Sequence, residues 1–438
     1  MPQRVTGRLV EVSRQWLRVD DGQRLWRLAV GCEVSQLAPA DFVELVVAKT
    51  KDSPPSSVVV AATLLCRPLG TGQPFPSPGG DYFRLNRDRR RSLLTERGRA
   101  LGSIRRYFAA QDFLEIEAPL MVPSPGLELH LQGFAVAGAG GPPRYLITSP
   151  EYQLKRLLVS GLGRIYSLGK VFRSGEAGPH HNPEFTMLEW YRAYEDWRSV
   201  AADVAALSAQ LATELHGSPR FVRTVQGSRH EAQTIDLSLP WPEQTVRDAV
   251  SLHAGIDIRG DETTQELAQK LAQGGYRVPQ PTFLDGGQGE PDWAWDDLFF
   301  SVFLDHVEPK LCAPSQDGVL RPLVLYDWPS PLCALARRKP GSPEVVERFE
   351  AYVAGLELCN GFGELCDPIE QRQRLVHDLA ERRRRGLPEY PIDERFLGSL
   401  CEGLPPSGGV ALGVDRLLML LLDVPHIRDV LPFATDEL

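Results

Sequence analysis

Between Phe172 and Arg192 the chain reads FRSGEAGPHHNPEFTMLEWYR: an arginine, a glycine-rich loop and an alternating segment. Side chains alternate across a strand, so Phe185, Met187, Glu189 and Tyr191 share one face, with Thr186, Leu188 and Trp190 on the other. An aromatic ring, a carboxylate and a phenol suit a core poorly. They suit a floor for a flat heterocycle, with the cation of Arg173 beside it. Three other stretches carry chemistry. Thr148-Ser149-Pro150-Glu151 precedes a predicted helix, Tyr152–Val159. Ser149 is placed to cap it, and Glu151 in its first turn is either a capping partner or a recognition carboxylate. ERFEAYVAGLEL (347–358) fits a hairpin turning at Ala354-Gly355. Pairing across that turn sets Tyr352 opposite Glu357 and Glu350 opposite Cys359, leaving Glu350 and Glu357 as diagonal neighbours about 7–8 Å apart. Two acids so placed repel unless cations lie between them; a surface salt-bridge network or Mg²⁺ with phosphates meets that need. Asn360-Gly361-Phe362-Gly363-Glu364 adds a turn and another acid. Finally, SGGVALGVDR (407–416) is a glycine-rich strand feeding an apolar helix. Arg416 falls in its first turn, where free N–H groups and the helix dipole favour an anion.

The elements that position these residues are legible around them. The 438 residues exceed one ordinary domain, and composition is that of a soluble globular protein. No apolar run reaches membrane-spanning length and the N-terminus lacks a secretory h-region, so the expectation is a cytoplasmic protein without a membrane partner. Seven scattered cysteines without CxxC pairs read as free thiols, and a net charge of −9 argues against indiscriminate nucleic-acid binding. Residues 1–68 hold five short strands, Arg4–Val12, Trp16–Val19, Arg24–Val30, Phe42–Lys49 and Ser57–Cys66, with turns at Asp21-Gly22 and Ser53-Pro54-Pro55. They predict a small all-β barrel of oligonucleotide-binding (OB) type, either a ligand site or a packing module. Trp16 and Trp26 read as core aromatics or stacking platforms. Residues 69–82 are a Pro/Gly-rich linker, and 83–438 the main domain. That domain opens on a basic helix (84–111) read as a solvated face, followed by an extended segment whose Pro119 marks an edge or interface. Residues 195–320 look like a helical elaboration, with helices at Trp197–His216 and Asp261–Gln273, and a strand pair follows around Trp328-Pro329.

Assembled in this order, the chain from about Leu85 onward resembles a class II aminoacyl-tRNA synthetase core, an α+β fold built on an antiparallel sheet with flanking helices. Pro119 lies in the first motif, Arg173 opens the second and GVALGVDRL forms the third. TSPE, HNPEFTMLEWY and ELCNGFGEL resemble the lysyl-tRNA synthetase branch, and most of all the elongation factor P–lysine lysyltransferases. The resemblance implies that Arg173 clamps the α-phosphate of ATP and Arg416 the γ-phosphate. It places Phe185 on adenine, with Glu176, His181, Asn182, Leu358 and Gly413 around the nucleotide and Mg²⁺ on Glu350 and Glu357. Ser149, Glu151, Glu189, Tyr191, Asn360, Glu364 and Ala411 then form the amino-acid pocket. Alanine at 411, where lysyl-tRNA synthetases usually carry glycine, implies β-lysine over α-lysine. The implied activity is ATP-dependent lysine adenylation and transfer to a lysine of elongation factor P, by a homodimer. A truncated enzyme charging tRNA is the alternative, and a catalytically silent RNA-binding paralogue is disfavoured by Arg173, Glu357 and Arg416 together. Three departures stand out: Arg173-Ser174-Gly175-Glu176 replaces the usual Arg-Asn-Glu, Pro179-His180 alters the same loop, and the barrel is absent from compact lysyltransferases.

Overall fold

In the computed structural model, residues 2–49, 57–68, 74–86, 89–138, 141–225, 231–278, 294–333 and 335–438 are described. The expected turn at Ser53-Pro54-Pro55 and residues 69–73 of the expected linker lie outside them. The chain divides into two compact units, Met1–Ser92 and Leu93–Leu438.

In the first unit, β1 (Gln3–Val12), β2 (Trp16–Asp20), β3 (Leu25–Val30), β4 (Phe42–Lys49) and β5 (Ser57–Cys66) close into a barrel. The order is β1-β2-β3-β5-β4, with β4 returning antiparallel to β1 and β3 running parallel to β5, an OB-like arrangement. Its interior is aliphatic: Leu9, Leu17, Val19, Leu28, Val43, Leu45 and Val59 are buried. Trp26 packs against this core from the Leu28 face of β3, whereas Trp16 does not. Leu17 and Val19 face inward, so Trp16 alternates outward, where Arg27 covers its ring at 4.9 Å. Trp26 is half-buried, covered by Arg24 at 3.4 Å and donating from Nε1 to Asp21. The short α1 (Asp81–Asn86) follows.

The expected single basic helix is interrupted, because Arg89 adopts φ 65°; α2 (Arg90–Ala109) starts only after it. Then come β6 (Leu114–Glu115), a small sheet of β7 (Met121–Val122), β8 (Ala135–Val136) and β9 (Arg144–Leu146), and α3 (Glu151–Val159). β10 (Arg164–Phe172) and β11 (Glu184–Ala193) form a long antiparallel pair, and α4 (Trp197–His216) packs behind them. Far from being peripheral, α4 supplies Trp197, Val200, Val204, Leu207 and Leu211 to the largest hydrophobic core. Nor is the rest of 195–320 purely helical. It contains β12 (Arg220–Val225) and β13 (Glu231–Asp236), paired with β15 (Val319–Leu320), and β14 (Glu243–Thr245). Its helices are α5 (Val246–Ala254), α6 (Thr264–Gln273), α7 (Trp295–Val302) and α8 (Glu308–Leu311). α6 begins later than expected because Thr263 and Glu266 form a capping box there. Trp328-Pro329 ends β16 (Leu323–Pro329) instead of dividing two strands. β17 (Arg338–Lys339), β18 (Ser342–Val353), β19 (Leu356–Gly363), α9 (Pro368–Arg384), α10 (Glu394–Gly403), β20 (Ser407–Gly413) and α11 (Val414–Leu421) complete the fold.

The main sheet has the order β14-β16-β18-β19-β20-β11-β10-β6, with its six central strands antiparallel. This α+β architecture matches the expectation. The hairpin turns at Ala354-Gly355, both at positive φ, with Tyr352 opposite Glu357. Beyond that pair a bulge shifts the register, so Glu350 faces Asn360 instead of Cys359. The predicted turn at Asn360–Gly363 is therefore absent: these residues are strand.

Candidate active site

The bulge has a chemical effect. It turns Asn360 onto the face that carries Glu350, and pairing then continues from Asn360 to Ala411 and from Ala411 to Glu189. Four strands thereby present Glu350, Asn360, Ala411 and Glu189 in one row across the sheet. On β11 the predicted alternation holds. Leu188 and Trp190 enter the main core, while Phe185 and Met187 line a cleft of about 170 Å³.

One end of that cleft is cationic. Arg173, at the close of β10, lies 5.2 Å from the centre of the Phe185 ring and 3.8 Å from Glu176, and its buried Nε has no partner among the described residues. Arg416 donates to His181 Nε2 at 2.5 Å and to the Glu357 carbonyl at 3.1 Å, with the Glu357 carboxylate 3.5 Å away. Burial and the neighbouring Arg416 charge lower the His181 pKa, keeping the ring neutral and able to accept. Leu358 and Gly413 line the cleft beside these groups. Asn182 also lines it, but its amide is spent on the protein itself: Nδ2 donates to Glu184 O and Oδ1 accepts from Thr435.

The other predicted residues form a buried acid cluster next to Ala411. Ser149 donates to Glu189 Oε2 at 2.7 Å and accepts from the Glu151 N–H, one position before the helix N-cap, which is Pro150. Tyr191 donates to Glu189 Oε1 at 2.8 Å. Burial, then the charge of Glu151, pushes the Glu189 carboxyl up to about 8, with Ser149 and Tyr191 pulling against it. Glu364 is 0 % exposed, and its Oε1 has no hydrogen-bond partner among the described residues. Gly409 makes this packing possible, since a Cβ there would lie 2.2 Å from Glu364 Oε1 and 2.3 Å from the Tyr191 ring.

The two acids expected to hold Mg²⁺ differ in availability. Glu357 is half-exposed and lines the cleft. Glu350 is buried, with Oε1 taking a hydrogen bond from Arg348 and Oε2 one from Tyr352, and burial pushes it up to about 7. Among the described residues no group of three or more His, Cys, Asp or Glu is placed to hold a metal. A donor set of one open carboxylate fits an ion that takes its remaining ligands from phosphates and water.

Residues 80–437 match the tRNA synthetase class II family (D, K and N). The chain belongs to that family. It is 39% identical over 351 residues to an elongation factor P–(R)-β-lysine ligase of Erwinia tasmaniensis, covering 78% of this chain and 95% of that protein. It is 35% identical to lysine–tRNA ligases of Dehalococcoides mccartyi and Moorella thermoacetica, covering 80% and 79% of this chain and 65% of each of theirs. The chain therefore spans just under two thirds of those lysine–tRNA ligases. As a class II synthetase-type protein it is an ATP-dependent ligase.

Three residues of this class II site escape the sequence reading. Lys155, 0 % exposed, lies 2.5 Å from both Glu151 and Glu364; its spacing of four from Glu151 on one helix was the available signal. Glu128 lines the cleft from an irregular loop that carries no periodicity. Asp415, beside Arg416, receives buried Arg97 from α2 across 318 residues, a contact no local pattern announces.

Proposed function

We propose that the chain activates lysine, with β-lysine favoured, as an aminoacyl-adenylate and transfers it to a lysine side chain of elongation factor P. One observation carries the reading: a cationic cleft floored by Phe185 adjoins, through Ala411, a buried cluster of three carboxylates. In the first step a carboxylate oxygen of the amino acid attacks the α-phosphorus of ATP and pyrophosphate leaves. Arg173 meets the charge developing at that phosphorus, and Arg416 holds the far phosphate once His181 and Glu357 release it. Positioning and fixed charge do this work, with no protein nucleophile. Glu357 would hold Mg²⁺ together with the phosphates, and the bound ion would offset their charge. Glu350 joins it only by giving up Arg348 or Tyr352. In the second step the acceptor ε-amine attacks the acyl carbon, an amide forms and AMP leaves. The acid cluster recognises the ammonium groups of the substrate, which need charged partners once buried.

A second reading is the charging of tRNA. The OB-like barrel, outside the matched residues 80–437 and carrying arginine-covered tryptophans, favours it. The deciding experiment supplies labelled lysine or β-lysine, ATP and Mg²⁺ to purified elongation factor P and to total tRNA in parallel. Label on the protein, lost when its acceptor lysine is replaced, is the expected result; label on tRNA alone overturns it.

A further inference from the structure

The acid cluster contains a cation of its own. Lys155 projects from the helix that begins at Glu151, four residues on, and is completely buried. Its Nζ lies 2.5 Å from Glu151 Oε1 and 2.5 Å from Glu364 Oε2, joining a helix residue to the end of β19. Glu189, the third carboxylate, is held by neutral donors, Ser149 and Tyr191. Burial disfavours the charge on Lys155; the two flanking carboxylates outweigh it and keep the ammonium charged. A cationic side chain has no need to occupy a recognition site for cations unless it sets how much negative charge remains.

We propose that Lys155 is a positioning residue and resident counter-cation of the amino-acid pocket. It aims Glu151 and Glu364 and, once the bound ligand has ionised all three carboxylates, leaves them a surplus of two negative charges, the complement of a substrate with two ammonium groups. Without it, Glu151 and Glu364 repel each other, and either swings away or takes up a proton. Oε1 of Glu364, packed beside Gly409 and without a hydrogen-bond partner among the described residues, is the acceptor that Lys155 leaves open, because the ammonium pairs with Oε2. This role rests on the reading of the pocket as a diamino-acid site.

The test uses the full chain and ATP–pyrophosphate exchange dependent on lysine or β-lysine. Exchange by the unaltered protein tests the pocket reading first; its absence defeats that reading and says so separately from any variant. Lys155→Met, close in shape but uncharged, is expected to raise KM for the diamino acid at least tenfold while KM for ATP stays within twofold. Lys155→Ala leaves room for propylammonium, the fragment removed. Added propylammonium is expected to recover kcat/KM for the diamino acid at least fivefold, at concentrations that leave the unaltered protein unaffected. Propanol, which fills the same space without charge, is expected to recover nothing. An unchanged KM in Lys155→Met overturns the proposal. So does a parallel rise of both KM values with no rescue by propylammonium, which would make Lys155 a packing residue.

Discussion

Glu189 has both oxygens occupied by neutral donors and two other acids close by, so an ammonium group entering the cluster would favour its charged form. Burial and the charge of Glu151 raise the Glu189 carboxyl to about 8, and Glu364 close by is raised to about 8 as well, so the free cluster favours holding a proton. The neighbours are Glu151 and Lys155 on α3, Glu364 beyond β19, and Tyr191 on the same strand. An ammonium ligand stabilises the charged form, so binding releases a proton. KM for the amino acid should fall about tenfold per pH unit from pH 6 toward 8 and then level. Glu189→Gln should flatten that profile, and a pH-independent KM in the unaltered protein would refute the assignment. The linkage for the fold has the opposite sense. A carboxyl at about 8 against its ordinary 4.5 binds its proton more tightly when folded, so ligand-free stability declines as pH rises through that window. Ala411 acts by volume instead of charge. Its methyl group stands in the row between Asn360 and Glu189, and one carbon in a pocket is worth about 1–3 kcal/mol. Ala411→Gly should therefore raise kcat/KM for α-lysine relative to β-lysine about tenfold in exchange assays, and an unchanged ratio would count against it.

At the scale of elements, the cleft depends on β11 and α11 keeping a fixed relation, and a residue from α2 secures it. Arg97 forms a buried ion pair with Asp415, donates to Thr186 Oγ1 at 2.8 Å and reaches the Val430 carbonyl at 3.2 Å. Asp415 in turn accepts from the Thr186 N–H at 2.7 Å. Thr186 and Asp415 are the sequence neighbours of Phe185 and Arg416, so this one guanidinium ties together two sides of the cleft. Removing one partner of a buried pair costs about 3–5 kcal/mol. Arg97→Met should lower the melting temperature by several degrees and raise KM for ATP more than tenfold, with a smaller effect on KM for the amino acid. Thermal melts and exchange kinetics test it, and equal effects on both substrates would remove Arg97's specific tie to the nucleotide. The contrast with what could be read in the sequence is physical. Strand faces obey a period of two, so the β11 alternation and the Ala354-Gly355 turn were legible, as were all five barrel strands. The bulge that brings Asn360 beside Glu350 adds one residue without a compositional mark. Lys155 and Arg97 looked like ordinary helix charges, because only tertiary packing reveals that they are buried.

At the scale of the whole molecule, the segment after α2 leaves large apolar side chains exposed. β6 is the terminal strand of the main sheet, and Leu114, Leu120 and Met121 are 50 %, 44 % and 48 % exposed, with Pro119 exposed among them. An edge strand that carries one large apolar side chain in water and is followed by two more favours association, and Pro119 limits it to pairing without a continuous ladder. We expect a homodimer through this segment, which is the first-motif region by resemblance. Light scattering should then give roughly twice 48.7 kDa at micromolar concentration. Leu120→Asp with Met121→Glu should shift the protein toward monomer, because two carboxylates would have to be buried unpaired. The same α2 carries Arg97, which ties Thr186 to Asp415, so loss of the dimer should raise KM for ATP as well as reduce mass. If the double variant became monomeric with unchanged KM for ATP, α2 would hold the cleft without help from a partner. If the unaltered protein were already a monomer at micromolar concentration, the exposed segment would need another occupant, and the homodimer expectation would fall.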